Sequence, residues 1–251
     1  MKTIIFCTSF INDDNSVRYN KWIDYYHNKL DLFNGCNLFL IDDGSSNISF
    51  NDRVEIVNSN DLPGSLKSNI NLFHFEDHLG RPSRKNYSGW WRSFTFSIKL
   101  AEKYNIDKII HIESDYYIVS RRMIDYMAEI AEGWTVFYSQ FYGFPETAIQ
   151  IICKDSFDKL NKTYTDAVES NYQFKKIAER VLPFSKVEKG FTGDRYGEEK
   201  ILRHWSKKNK TPVAIDYIGQ IDARSDLDEY KRYFRFDFDL TTGKLFNTKH
   251  F

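Results

Sequence analysis

The segment Lys108-Ile109-Ile110-His111-Ile112-Glu113-Ser114-Asp115 decides how the chain is read. Its first five residues make a short apolar run rich in β-branched side chains, the mark of a strand buried on both faces. The run stops on two acids placed two residues apart. On an extended chain such residues point to the same side, so Glu113 and Asp115 are expected to face one cation together. Their hard oxygens suit Mg2+ or Mn2+, an ion that bridges a diphosphate and neutralises charge on a leaving group. An acidic triplet alone is weak evidence, since solvated strand ends are often acidic. Its place directly after a buried strand gives it weight.

Outward from this segment, short apolar runs alternate with stretches of helical spacing. Toward the N-terminus, Thr3 to Ser9 reads as a buried strand and Arg18 to Leu30 as a helix with Trp22, Ile23, Tyr26 and Leu30 on one face. Asn37 to Ile41 is a second strand, ended by the turn-forming Asp42-Asp43-Gly44-Ser45-Ser46. Val54 to Val57 and Ile70 to Phe75 read as further strands, and Trp90 to Tyr104 as a helix with Trp91, Phe94, Ile98 and Ala101 inward. Beyond Asp115, Ser120 caps a helix expected to run through Ala131. Strands follow at Thr135 to Ser139 and Thr147 to Cys153, then a helix from Ser156. This rhythm predicts an α/β fold with a largely parallel, twisted sheet and helices on both faces. Ligands of such sheets sit beyond the carboxyl ends of the strands. Both acidic clusters fall at that edge, so they are expected to share one cleft.

A first strand at Ile4 to Ser9, a second closed by a D-D-G-S pattern at Asp42 to Ser45, and a later strand closed by Glu113-Ser114-Asp115 together resemble the GT-A class of nucleotide-sugar glycosyltransferases, whose sheet is Rossmann-like. The resemblance covers about residues 1–155 and reads the whole chain, 1–251, as one transferase domain. Residues 1–155 are then the nucleotide-sugar-binding half and 156–251 the acceptor-side half. It implies that Thr8 or Ser9 and Asp42 or Asp43 contact the nucleoside and that Asp115 binds the cation, with Ser114 counted among the donor-site residues. Glu113 stands where the pattern prefers Asp; its longer arm can still ligate. A histidine near the C-terminus ligates the metal in some of these enzymes, which makes His250 a candidate. His204, beside Trp205 on a predicted helix, reads as structural.

Two further clusters bear on chemistry. Arg81-Pro82-Ser83-Arg84-Lys85 and the nearby Trp90-Trp91-Arg92 form a basic, aromatic segment in which Arg84 or Arg92 can grip phosphate with its planar fork. The plain alternative is a solvated basic loop beside core tryptophans. In the acceptor half, Gly193-Asp194-Arg195-Tyr196-Gly197-Glu198-Glu199 offers a base for an acceptor hydroxyl, with Glu198 ahead of Asp194 and Glu199. Glu199 also fits an exposed helical pair with Arg203.

Composition excludes little but sets limits. The 251 residues carry 35 basic and 35 acidic side chains, so no net field favours nucleic acid. The three cysteines, Cys7, Cys36 and Cys153, lack any C-x-x-C pairing and read as reduced thiols of a cytoplasmic protein. That reading leaves the sequons at Asn47, Asn86 and Asn161 unused. Ile4-Ile5-Phe6 is too short for a signal h-region, and no run reaches the length of a spanning helix. A glycan or glycolipid acceptor would still allow peripheral contact with a membrane. There is no phosphate-loop, dinucleotide, H-E-x-x-H or G-x-S-x-G signature. Two rivals to a hexosyltransferase remain: a nucleotidyltransferase, disfavoured because Phe10 to Asn15 holds neither glycine nor lysine, and a non-catalytic nucleotide-sugar-binding module.

Overall fold

The computed structural model describes residues 1–12, 16–48, 50, 52–83, 86–139, 143–194, 208, 213–221, 233–240 and 242–245. Within them the chain forms β1 (Thr3–Ser9), α1 (Ser16–His27), β2 (Asn37–Asp42), β3 (Glu55–Asn58), β4 (Ile70–His74), α2 (Ser88–Lys103) and β5 (Lys108–Ile112). Next come β6 (Tyr117–Ile118), α3 (Arg121–Glu129), β7 (Trp134–Ser139), β8 (Phe144–Cys153), α4 (Phe157–Glu169) and β9 (Lys186–Glu188). Four two-residue strands follow: β10 (Gly193–Asp194), β11 (Val213–Ala214), β12 (Tyr217–Ile218) and β13 (Phe234–Arg235).

An eight-stranded sheet in the order β3-β4-β2-β1-β5-β8-β7-β9 organises the molecule. It is the predicted α/β sheet. From β3 to β5 every pairing is parallel, while β8 runs antiparallel to both its neighbours. Only residues 140–143 separate β7 from β8, and strands joined by so few residues pair antiparallel. Residues beyond 155 add β9 to the far edge.

Side chains alternate along β1, so the sheet has a core on each face. Ile5 and Cys7 point to one side, packed with Trp22 and Tyr26 of α1 and Met123 and Met127 of α3. Ile4 and Phe6 point to the other, packed with Trp91, Phe94 and Ile98 of α2 and Leu160 of α4. Burial on both faces is why these strands read as unbroken apolar runs. Ser120 caps α3 as expected, its hydroxyl accepting from the Met123 N–H at 3.3 Å, and the helix stops at Glu129, two residues short of the predicted end. Helix α1 ends at His27, and the expected last turn at Leu30 is instead a separate 3-10 turn, Leu30–Phe33. No helix among the described residues is long and apolar enough to cross a membrane.

Candidate functional site

The carboxyl ends of β1, β2 and β5 open into a cavity of about 780 Å³. Asp43 and Asp115 both line it, with Thr8, Ser9, Glu113 and Ser114. The two acidic strand tips therefore share one cleft, as the sequence predicts.

The D-D-G-S turn divides its labour. Asp42 is fully buried. Its carboxylate accepts from the Ser45 N–H at 2.9 Å and the Ser45 hydroxyl at 2.5 Å, and lies 2.9 Å from His74 Nδ1. It closes the turn and does not reach the cavity. Asp43 does reach it, from a firmly held position. Oδ2 accepts from the Gly80 N–H at 2.8 Å, and Oδ1 accepts from Arg92. His78 Nδ1 lies 3.1 Å from Oδ2, and the His78 ring stacks on Phe10 with centroids 3.9 Å apart. Gly44 has φ +75°, and a Cβ there would meet the Asp77 carbonyl oxygen at 2.2 Å, so the turn requires glycine.

Arg92 corrects an expectation. Instead of reaching for phosphate it is 4% exposed and points into the protein. Its guanidinium pairs with Asp43, donates to Asp77 Oδ1 at 2.7 Å and lies 4.2 Å over the Phe75 ring. The cause is Asp43: a carboxylate sealed against the first turn of α2 needs a countercharge, and Arg92 on that helix supplies it. Helix α2 also starts two residues before the predicted Trp90, because Asp43 sits at its amino end, where the helix dipole favours negative charge.

At the β5 tip the expected geometry also changes. The strand ends at Ile112, and the Tyr116 N–H donates to the Glu113 carbonyl at 2.9 Å, closing a turn over Glu113–Tyr116. Glu113 and Asp115 thus do not lie on one extended strand, and the alternation argument fails for them. Glu113 instead shares the face of His111, two residues earlier. Its Oε2 accepts from the Thr8 hydroxyl at 2.9 Å, and its Oε1 accepts from the Trp90 indole and lies 3.2 Å from His111 Nε2. Burial pushes the Glu113 carboxyl up, but His111, Trp90 and Thr8 outweigh it and hold the group below its usual range.

Asp115 is the acid left open. Among the described residues no other side chain hydrogen-bonds its carboxylate; its own N–H is the one donor it takes. Burial, with the Glu113 charge beside it, pushes its carboxyl up to about 6, against the opposing pull of Arg18. The turn carrying it is clamped from two sides. Tyr26 of α1 donates to the Tyr116 carbonyl at 3.0 Å, and the Ile221 N–H donates to the Asp115 carbonyl at 3.1 Å. No group of three or more ligating side chains is preformed among the described residues. One open carboxylate beside a partly buried, engaged Glu113 fits a cation that takes one or two protein oxygens and fills its shell from phosphate and water.

Several predicted residues lie outside the described residues: Arg84, Glu198, Glu199 and His250, together with the Asp194 side chain. The cavity brings in others that the sequence reading passed over. Arg18 at the start of α1 lines it, as do Glu146 and Glu179; Trp90 of the basic, aromatic segment lines it too. Glu146 is held by the Tyr116 hydroxyl at 3.0 Å and the Ala148 N–H at 3.0 Å, while Glu179 takes the Thr147 hydroxyl at 3.2 Å. A usable signal existed for Arg18. The helix after β1 starts at the ligand edge of the sheet, so its first turn faces the same cleft.

No protein-family model matches the chain, and no curated protein does. Among solved structures it is similar to a glycosyltransferase involved in the glycosylation of the major capsid of PBCV-1, at 10% identity and a TM-score of 0.49. That match covers 92% of this chain and 97% of the other. At this level of likeness, chemistry has to be read from the site itself.

Proposed function

We propose that the protein is a glycosyltransferase that moves a sugar from a nucleotide-sugar donor to a hydroxyl of a glycan or glycolipid acceptor, with Mn2+ or Mg2+. The observation that carries this reading is the open Asp115 carboxylate at the tip of β5, sharing one cavity with Asp43 at the tip of β2.

In this reading Asp115 holds the cation, with Glu113 beside it as an oriented, charged neighbour. The bound cation neutralises the diphosphate that leaves with the nucleoside. Asp43, with the stacked Phe10 and His78, forms the wall against which the nucleoside rests, and Thr8 and Ser9 border it. An acceptor hydroxyl needs a carboxylate to take its proton. Asp194, Glu198 and Glu199 stay candidates from the sequence, and Glu179 opens to the same cavity.

The test is a panel of nucleotide-sugars incubated with the protein in Mn2+ and, separately, in chelator. Release of nucleoside diphosphate, dependent on Mn2+, is expected. Release of pyrophosphate would make the protein a nucleotidyltransferase. A second reading, a non-catalytic nucleotide-sugar-binding module, is favoured by the hydrogen bonds already held by both Glu113 oxygens. Tight binding of one nucleotide-sugar without turnover on any acceptor would establish that reading instead.

A further inference from the structure

Arg18 is a cation of this cavity that feels the charges of Asp115 and Glu113 but, among the described residues, makes no ion pair with either. It sits on the first turn of α1 and lines the same space as Asp115 and Glu113. Its Nη2 donates to the Tyr19 hydroxyl at 3.0 Å, and its guanidinium carbon lies 5.0 Å from the Tyr19 ring centroid. The Tyr19 hydroxyl is itself pinned, accepting from the Phe10 N–H at 3.0 Å and donating to the Phe10 carbonyl at 3.1 Å. One corner of the guanidinium is thus fixed to the loop that leaves β1. The rest of the fork is unanswered: Nε is buried with no hydrogen-bond partner, and among the described residues no carboxylate lies within ion-pair distance of Arg18.

Arg18 is half-buried, and a guanidinium that keeps a buried N–H unanswered bears a desolvation cost. The cost is recovered when an oxyanion enters, because the planar fork matches two oxygens of one phosphoryl group. We propose that Arg18 is a preorganised binding residue for the phosphoryl oxygens of the leaving nucleotide, a fixed positive charge that shares with the cation at Asp115 the neutralisation of the diphosphate. The division of labour follows from the geometry. Glu113 has both oxygens engaged, so the protein offers the cation few ligands, and a second charge, tethered to Tyr19, lines the same cavity. The ligand class rests on the glycosyltransferase reading; the anion site itself does not.

Inorganic pyrophosphate, titrated calorimetrically into the metal-free full chain in chelator, tests this. Wild type is expected to bind it, and Arg18→Gln to bind about ten-fold more weakly or worse, the loss of one or two charge-assisted hydrogen bonds. Asp115→Asn, which removes a like charge facing the ligand, is expected to bind pyrophosphate at least as well as wild type without metal. A nucleoside lacking phosphate should not distinguish wild type from Arg18→Gln. Unchanged pyrophosphate affinity in Arg18→Gln, or no binding by wild type, overturns the assignment. If Arg18→Gln does not fold, Arg18→Lys decides: its point charge should bind more weakly than the fork, and equal affinity counts against the proposal. Arg18-dependent pyrophosphate binding without turnover of any nucleotide-sugar would keep the anion site and remove the transferase. Turnover with Arg18-independent binding would do the reverse.

Discussion

Two acids two residues apart have been driven to opposite behaviour by what touches them. Glu113 is wrapped by Thr8, Trp90 and His111 and stays charged, whereas burial and the Glu113 charge hold Asp115 near a pKa of about 6. The consequence for stability has a definite sign. Between about 4 and about 6 the folded protein keeps the Asp115 proton while the unfolded chain gives it up, so stability falls as pH rises through that window and stays lower above it. In chelator at pH 7.5, Asp115→Asn should therefore be more stable than wild type by on the order of 1–2 kcal/mol. At pH 4 the two proteins should melt together. A variant no more stable than wild type at pH 7.5 would show that the carboxylate is not strained there. The pair Asp43–Arg92 is the opposite case, with both side chains 5% exposed and each answering the other. Removing one partner by Asp43→Asn or Arg92→Met should cost about 3–5 kcal/mol in urea unfolding, and the double variant clearly less than the sum. Additive losses would mean that the two residues do not depend on each other.

At the scale of elements, the junction between the D-D-G-S turn and α2 is the tightest fitting at the site. A Cβ at Gly89 would lie 1.9 Å from Asp43 Oδ2, and that oxygen cannot move without breaking its bond from Gly80. Gly89→Ala is expected to destabilise by about 2–4 kcal/mol and to weaken any ligand held at Asp43; a variant with wild-type urea midpoint and ligand affinity would contradict the packing. This junction also marks where the sequence stopped being readable. Strands β1, β2 and β5 were legible almost to the residue, because burial on both faces writes them as short apolar runs between turn-formers. The turn at Glu113–Tyr116 was not, because nothing in Glu-Ser-Asp separates the last extended residue from the first of a turn. That boundary decided which acid was open. Arg92 misled for a related reason: a basic residue near a helix start looks the same whether it faces a ligand or a buried carboxylate. Strand β9 and the two-residue strands carry too few residues for any periodicity to register.

Across the whole molecule, the parallel strands bring their carboxyl ends to one edge, and two cores hold that edge rigid from either face. The chain's later part is fastened through Lys29 to the turn that follows α1. That side chain is fully buried, donates from Nζ to the Gly243 carbonyl, and places Nζ 3.5 Å from the Tyr25 ring centroid and 4.2 Å from that of Phe238. Burial pulls its ammonium down to about 6, with Asp239 opposing. The unfolded chain holds this proton to much higher pH, so folding releases it, and stability should rise with pH above about 6. Lys29→Met should flatten that rise between pH 6 and 9 in thermal melts. An unchanged slope would place the pH response elsewhere.

The edge that these strands and cores build stands or falls on what Asp115 can hold. Manganese electron paramagnetic resonance, titrated with the nucleoside diphosphate of whichever donor the protein prefers, reads this directly. An immobilised Mn2+ signal should require both the nucleotide and Asp115, weak with metal alone and lost in Asp115→Asn. A ternary signal of full strength in Asp115→Asn would mean that the open acid of β5 is not where the leaving group is clamped.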